Sequence, residues 1–209
     1  MYQIIEVTAV VSGAVYGILL ARRHHMDFVG VFSLALMVAF GGGTLRDLFL
    51  DRHPLFWIGN PSYPVVVFVL ALITSAFAKL PAFVAKSLHV PEAMGLGLFS
   101  IAGVNAAIDS DTSLFIASLM GVITGTFGGV IGDVVCNRVP DLFRTAPLNA
   151  TCSFVGCWLL FGLQFARIDE VYAAPIAIAV IVIFRLLAIH RNWHLPQIEP
   201  PPETSIPPQ

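Results

Sequence analysis

The sequence predicts an all-α integral membrane protein with seven transmembrane helices. They form two inverted three-helix repeats and a seventh helix outside them, with glycine-kinked second and fifth helices. Three observations predict it. Of the 209 residues, 57 % are hydrophobic and only 11 % charged, where a water-soluble globule carries about 25 % charge. Seven apolar stretches approach the roughly twenty residues that cross a bilayer. A single offset along the chain also superposes two copies of one glycine-and-aspartate motif.

The same composition fits a soluble enzyme, a nucleic-acid binder or a disordered chain poorly. Net charge is -2 and the 11 Lys and Arg are scattered, so no nucleic-acid partner is expected. Cys136, Cys152 and Cys157 lack zinc or iron–sulfur spacing and read as small buried side chains. No HExxH, nucleotide loop or Ser–His–Asp spacing is present. Neither an enzyme nor a bound cofactor is expected. His24 and His25 read as part of a solvated loop rather than a metal pair.

The spans run approximately 4–21, 28–50, 64–81, 92–108, 114–136, 147–166 and 171–189. No basic residue precedes the first, and Glu6 stands where a signal peptide would be positive, so this helix is expected to be retained. ARRHHMD ends the first span, DRHPLFWIGNPSYP the second and KLPAFVAKSLHVPE the third. Asp109 to Asp111 follow the fourth, NRVPDLFRTAP the fifth and ARIDE the sixth; such polar, Pro- and Gly-bearing stretches punctuate helices. One transmembrane domain is expected over 1–190, with repeats at about 4–85 and 90–167 and the extra helix at 171–189. The proline-rich 195–209 segment reads as a disordered tail.

Basic residues orient these spans. Arg22, Arg23, Lys79, Lys86, Arg138, Arg144 and Arg191 flank one side, against Arg52 and Arg167 on the other. The positive-inside rule then places the N-terminus outside and the C-terminus in the cytoplasm.

The repeat is read from two related texts, VAFGGGTLRDLF at 38–49 and ITGTFGGVIGDVV at 123–135. Sliding the chain by 86 residues places Gly42 and Gly43 on Gly128 and Gly129, and Asp47 on Asp133. It also places Glu6 on Glu92, Gly17 on Gly103, Pro54 on Pro140 and Pro61 on Pro147. Three spans per copy make consecutive copies enter the membrane in opposite senses. Inverted repeats with interrupted helices are typical of transport proteins.

Gly41, Gly42 and Gly43 in the second span, and Gly125, Gly128 and Gly129 in the fifth, are candidate pore or hinge residues. Glycine permits bent backbone and exposes carbonyls at depth. Carbonyls near Gly42 and Gly128 could then contact a dehydrated potassium ion transiently, without any structural metal. Close helix packing is the other reading of the same glycines. Arg46, Asp47 and Asp133 follow them in the two spans; intramembrane charges line a route or pair within the bundle. For Asp133 and Arg185, snorkelling from a helix end competes with that reading. Glu6 and Glu92 read as helix-start charges that suit the dipole.

SGAVYGILLARRHHMDFVGV, GGGTLRDLFLDRHPLFWI, GGVIGDVVCNRVP and FRLLA together resemble the prokaryotic trimeric intracellular cation (TRIC) channel family. That family is also catalogued as glycine-transporter or uncharacterised membrane domains. The resemblance runs from about Ser12 to Ala188. It implies seven helices, a homotrimer among membrane lipids, and one pore per protomer framed by Gly41–Asp47 and Phe127–Asp133. It also implies conduction of potassium, and of sodium less well, across the prokaryotic cytoplasmic membrane. The family's second copy has Arg before Asp; here Gly132 stands there, which leaves Arg46 as the expected arginine of the pore. A secondary transporter for glycine or another small amino acid is the alternative function.

Overall fold

In the computed structural model, residues 2–77 and 87–196 are described. The helices are α1 (Tyr2–Arg23), α2 (Phe28–Phe49), α3 (Phe56–Gly59) and α4 (Ser62–Ala76). They continue with α5 (His89–Ile108), α6 (Leu114–Val135), α7 (Ala150–Phe165) and α8 (Glu170–Arg191), with a 3₁₀ turn at Asp141–Phe143. Five of them, α1, α2, α5, α6 and α8, are long and apolar enough to cross a membrane; α4 and α7 are shorter apolar helices. The fold is an all-α, multi-span membrane fold.

The third and sixth expected spans are shorter here, 15 residues in α4 and 16 in α7. The extended backbone of Phe77 closes α4. Lys79, Lys86 and nearly all of the proline-rich tail lie outside the described residues.

The 86-residue offset holds down to single caps. It carries α2 onto α6 without a shift at either end. Asp27 caps α2 by accepting from the Gly30 N–H, and Ser113 caps α6 by accepting from the Ile116 N–H; both satisfy a helix-start donor. Both helices close through a left-handed polar residue, Asp51 (φ 51°) and Asn137 (φ 55°). There the following N–H, of Arg52 or Arg138, bonds back to the Asp47 or Asp133 carbonyl at 2.9 and 2.8 Å, as in a Schellman closure.

Helix α5 is the centre of the bundle: α1, α6 and α8 all pack on it, and Gly95 to Ala107 is a continuous buried run. Such all-round burial explains its lean, Gly- and Ala-rich text, since a helix surrounded by helices gains more from close approach than from bulky side chains. Helix α2 crosses α6, and α8 packs on α5 and α7.

Candidate functional site

The expected breaks at Gly41–Gly43 and Gly125–Gly129 are not breaks in this structure. Helices α2 and α6 run through them continuously, and no glycine among the described residues has a positive φ. Backbone contact at the crossing explains the glycine text. A Cβ at Gly42 would overlap the Thr124 carbonyl oxygen on α6, and one at Gly128 would overlap the Val38 carbonyl oxygen on α2. The two glycines thus let the repeats touch backbone to backbone, each abutting a carbonyl of the other.

The flanking glycines divide differently. A Cβ at Gly41 would meet the end of the Ile131 side chain, and one at Gly125 the Ser100 hydroxyl and the Leu96 carbonyl of α5. A Cβ at Gly43 would run into the Phe56 ring. Its repeat mate Gly129 has no neighbour within 4 Å of that position.

Around Gly43 lies a closed polar knot under an aromatic cap. Arg46 and Asp47 are 3 % and 1 % exposed. The Arg46 Nη2 lies 2.7 Å from Asp47 Oδ1, and its Nη1 reaches Glu6 Oε1 at 3.9 Å. The second Asp47 oxygen accepts the Phe56 backbone N–H at 2.7 Å. Tyr63 donates to Glu6 Oε2 at 3.3 Å. The Arg46 guanidinium stands 5.2 Å from the Phe56 ring centroid, and Phe40 stacks on Trp57, which donates to Thr44 at 3.0 Å. The Arg46 Nε also donates to Asp47 Oδ1 at 2.8 Å, and pairing of this kind is how a charge is tolerated inside a bundle.

The second copy repeats the plan with different parts. Asn149, the mate of Tyr63, donates to Glu92 at 3.4 Å. Asp141 N–H donates to Asp133 Oδ2 at 3.3 Å, as Phe56 does to Asp47. With Gly132 in the arginine's place, the cation comes from α8: Arg185 Nη2 lies 2.9 Å from Glu92 Oε1, and its Nη1 donates to the Pro147 and Leu148 carbonyls. Arg185 is therefore not a snorkelling helix-end charge; it is 3 % exposed and buried in the bundle. Glu6 and Glu92, read as helix-start charges, are the carboxylates of these two knots. Asp133 is buried too, with Arg138 at 3.9 Å.

Here the knot does not close. A cavity of about 150 Å³ opens between Glu92, Thr124, Gly125, Gly128, Gly129 and Asp133. Exposed Arg138 and Arg23 are at its mouth, and Arg185 also lines it. Arg46 is thus not the one arginine beside the candidate route. Gly13, Val38, Phe99 and Thr124 also line it, which puts it beside the α2–α6 crossing. Sequence reasoning missed Phe56, Tyr63 and Asn149. Tyr63 and Asn149 share the offset, but a tyrosine and an asparagine give no textual match. Among the described residues no three His, Cys, Asp or Glu come together as metal ligands.

Comparison with known proteins agrees with the internal geometry. The family model described as Glycine transporter matches twice, at residues 3–79 and 89–165, the same offset that relates the two knots. The UPF0126 inner membrane protein YadS of Escherichia coli is 37 % identical over 189 residues, covering 87 % of both chains. A UPF0126 membrane protein of Vibrio cholerae is 36 % identical, covering 87 % of this chain and 75 % of its own. The structure of a TRIC trimeric intracellular cation channel orthologue from Rhodobacter sphaeroides superposes with a TM-score of 0.85 at 29 % identity, over 92 % of this chain and 98 % of that one. The chain belongs to the UPF0126 family of membrane proteins, described by the Glycine transporter model, and it has the fold of the TRIC cation channels.

Proposed function

We propose that this protein is a passive, potassium-permeable cation channel of the cytoplasmic membrane, with one route in each protomer of a homotrimer. The observation that carries the reading is the cavity lined by Glu92 and Asp133, leading to the glycine crossing of α2 and α6. Carboxylates at a water-sized entrance concentrate cations. The likeness to TRIC cation channels supplies the class of cargo and the trimer.

In this reading seven spans cross the membrane, α4 and α7 included. The two copies lie in opposite senses, the N-terminus outside and the C-terminus in the cytoplasm. The Arg138 mouth is then cytoplasmic and the Phe56 cap faces outward. Gly41, Gly42, Gly43, Arg46 and Asp47 frame the outer half, and Gly125, Gly128, Gly129 and Asp133 the inner. The carbonyl contacts of the ion are those of Val38 and Thr124, beside Gly128 and Gly42, reached when the crossing widens.

Planar-bilayer recording of the purified protein tests this. Unitary currents with potassium permeability above that of sodium are expected. The family model's description favours a second reading, a carrier for glycine or a similar amino acid. Saturable, proton- or sodium-coupled amino-acid uptake without unitary current would establish the carrier and remove the channel.

A further inference from the structure

We propose that the two repeats are two gates of one design, and that this conformation has the gate of the first repeat shut and that of the second open. The inference takes its route from the proposed function and adds the residues that open and close it.

Three pairs of residues, each related by the 86-residue offset, carry the asymmetry. The first is the space over the glycine pair. At Gly43 it is filled by the Phe56 ring; at Gly129 nothing lies within 4 Å, and Leu142, the mate of Phe56, lines the cavity instead. The second is the latch. Asp47 holds the backbone N–H of Phe56 at 2.7 Å, whereas its mate Asp133 holds that of Asp141, one residue before Leu142, at 3.3 Å. Geometry of that kind separates a short charge-assisted bond from a slack one.

The third pair is Arg52 and Arg138. Arg52 donates to the Ala106 carbonyl at 2.9 Å, capping the end of α5 and so tying the first repeat across to the second. The mate of Ala106 is Leu20, near the end of α1. Arg138 makes no such bond. Among the described residues it reaches Asp133 at 3.9 Å and is exposed at the cavity mouth. The differences point the same way: ring seated, latch short and arginine docked in one copy, against open space, a longer latch and an exposed arginine in the other.

Helices α2 and α6 share their caps and closing turns, whereas the segments beyond differ, α3 at Phe56–Gly59 against a 3₁₀ turn at Asp141–Phe143. A seated pose of the second copy is a rearrangement of that segment on a common helix. Leu142 would move over Gly129, the Asp133 latch would shorten, and Arg138 would dock on the α1 carbonyl end near Leu20. Leucine fills less space than phenylalanine, so the second gate seals less tightly. The first gate is the stricter of the two, and Phe56 is its sealing residue.

Cysteine accessibility tests this without reading current. The native Cys136, Cys152 and Cys157 are buried, so the parent protein serves as the blank. Gly129→Cys, in right-side-out and inside-out membrane vesicles, is treated with a membrane-impermeant methanethiosulfonate. Labelling about tenfold or more faster from the Arg138 face than from the Arg52 face is expected, because access controls thiol reactivity at a fixed site. Adding Phe56→Ala should make the site reactive from both faces. Should Phe56→Ala fail to fold, Arg52→Gln undoes the α5 tie and carries the same comparison. Equal labelling from both faces with Phe56 intact, no labelling from either, or one-faced labelling that survives both gate variants overturns the proposal. One-faced labelling together with silent bilayers removes the channel reading and leaves the gates standing.

Discussion

Arg185 on α8 is bound to Glu92 on α5, with Nη2–Oε1 at 2.9 Å and Nε–Oε1 at 3.1 Å. It is a tighter pair than Arg46 and Glu6, which meet at 3.9 Å in the first copy. The helix outside the repeat therefore completes the second knot, where Gly132 leaves no arginine. This gives α8 a task beyond covering α5 and α7.

Removing one partner of that pair strands the other charge inside the bundle. Arg185→Gln should lower stability by roughly 3–5 kcal/mol, the usual cost of an uncompensated buried charge. Glu92→Gln together with Arg185→Met should recover much of it, because neither charge is then left alone. Thermal unfolding in mild detergent checks both. A double variant no better than Arg185→Gln would mean that the bonds from Arg185 to the Pro147 and Leu148 carbonyls carry the stability instead.

The crossing glycines should separate sharply by position. Gly42→Ala and Gly128→Ala force a methyl into a facing carbonyl, so both should reduce the yield of folded oligomer and the melting temperature. Gly129→Ala meets open space, and exchanging a mid-helix glycine for alanine adds up to about 1 kcal/mol of helix stability. Size-exclusion profiles and melting curves of the three variants decide it. Equal damage at Gly129 would show that this space is filled by something outside the described residues.

Ser100 and Ser153, both fully buried, meet at 2.6 Å between α5 and α7, and Ser100 also donates to the Leu96 carbonyl. Ser153→Ala should cost about 1 kcal/mol, the net value of one such bond. In the double variant with Ser100→Ala the costs should not add, since either change alone removes the same bond, the one Ser153 donates to Ser100. Melting curves of the two singles and the double test this coupling.

Much of this architecture was legible in the text. The 86-residue offset located the duplicated helices because glycines, prolines and helix caps must keep their spacing for the backbone to repeat. The consequence of the glycines was not legible. The text of Gly42 and Gly128 reads first as a pore or hinge and second as a close crossing, and the contact with the facing carbonyls of Thr124 and Val38 is visible only in three dimensions. For Arg185 the text leaves a helix-end charge and an internal pair both open, because its partner Glu92 is 93 residues away, with no local pattern linking them. Helix α7 begins at Ala150 rather than at 147 because Pro147 and Leu148 give their carbonyls to Arg185 ahead of it, and the expected end of the third span, 78–81, lies outside the described residues.

Asp47 and Asp133 occupy the same repeat position and should answer substitution differently. Asp47 is 1 % exposed and accepts from both Arg46 and the Phe56 N–H. Asp47→Ala would leave the Arg46 charge without its nearest partner and release the aromatic cap. It should therefore lower stability by roughly 3–5 kcal/mol and, in the fraction that folds, raise open probability. Asp133 has one weaker bond, to the Asp141 N–H at 3.3 Å, and a distant Arg138. Asp133→Ala should cost nearer 1 kcal/mol, as for one modest hydrogen bond. It should also reduce cation preference, because it removes a carboxylate from the cavity wall. Melting curves recorded beside bilayer currents separate the two roles. If Asp133→Ala destabilised the protein as strongly as Asp47→Ala and left ion preference unchanged, the second carboxylate would be a latch like the first and not part of the cation's route.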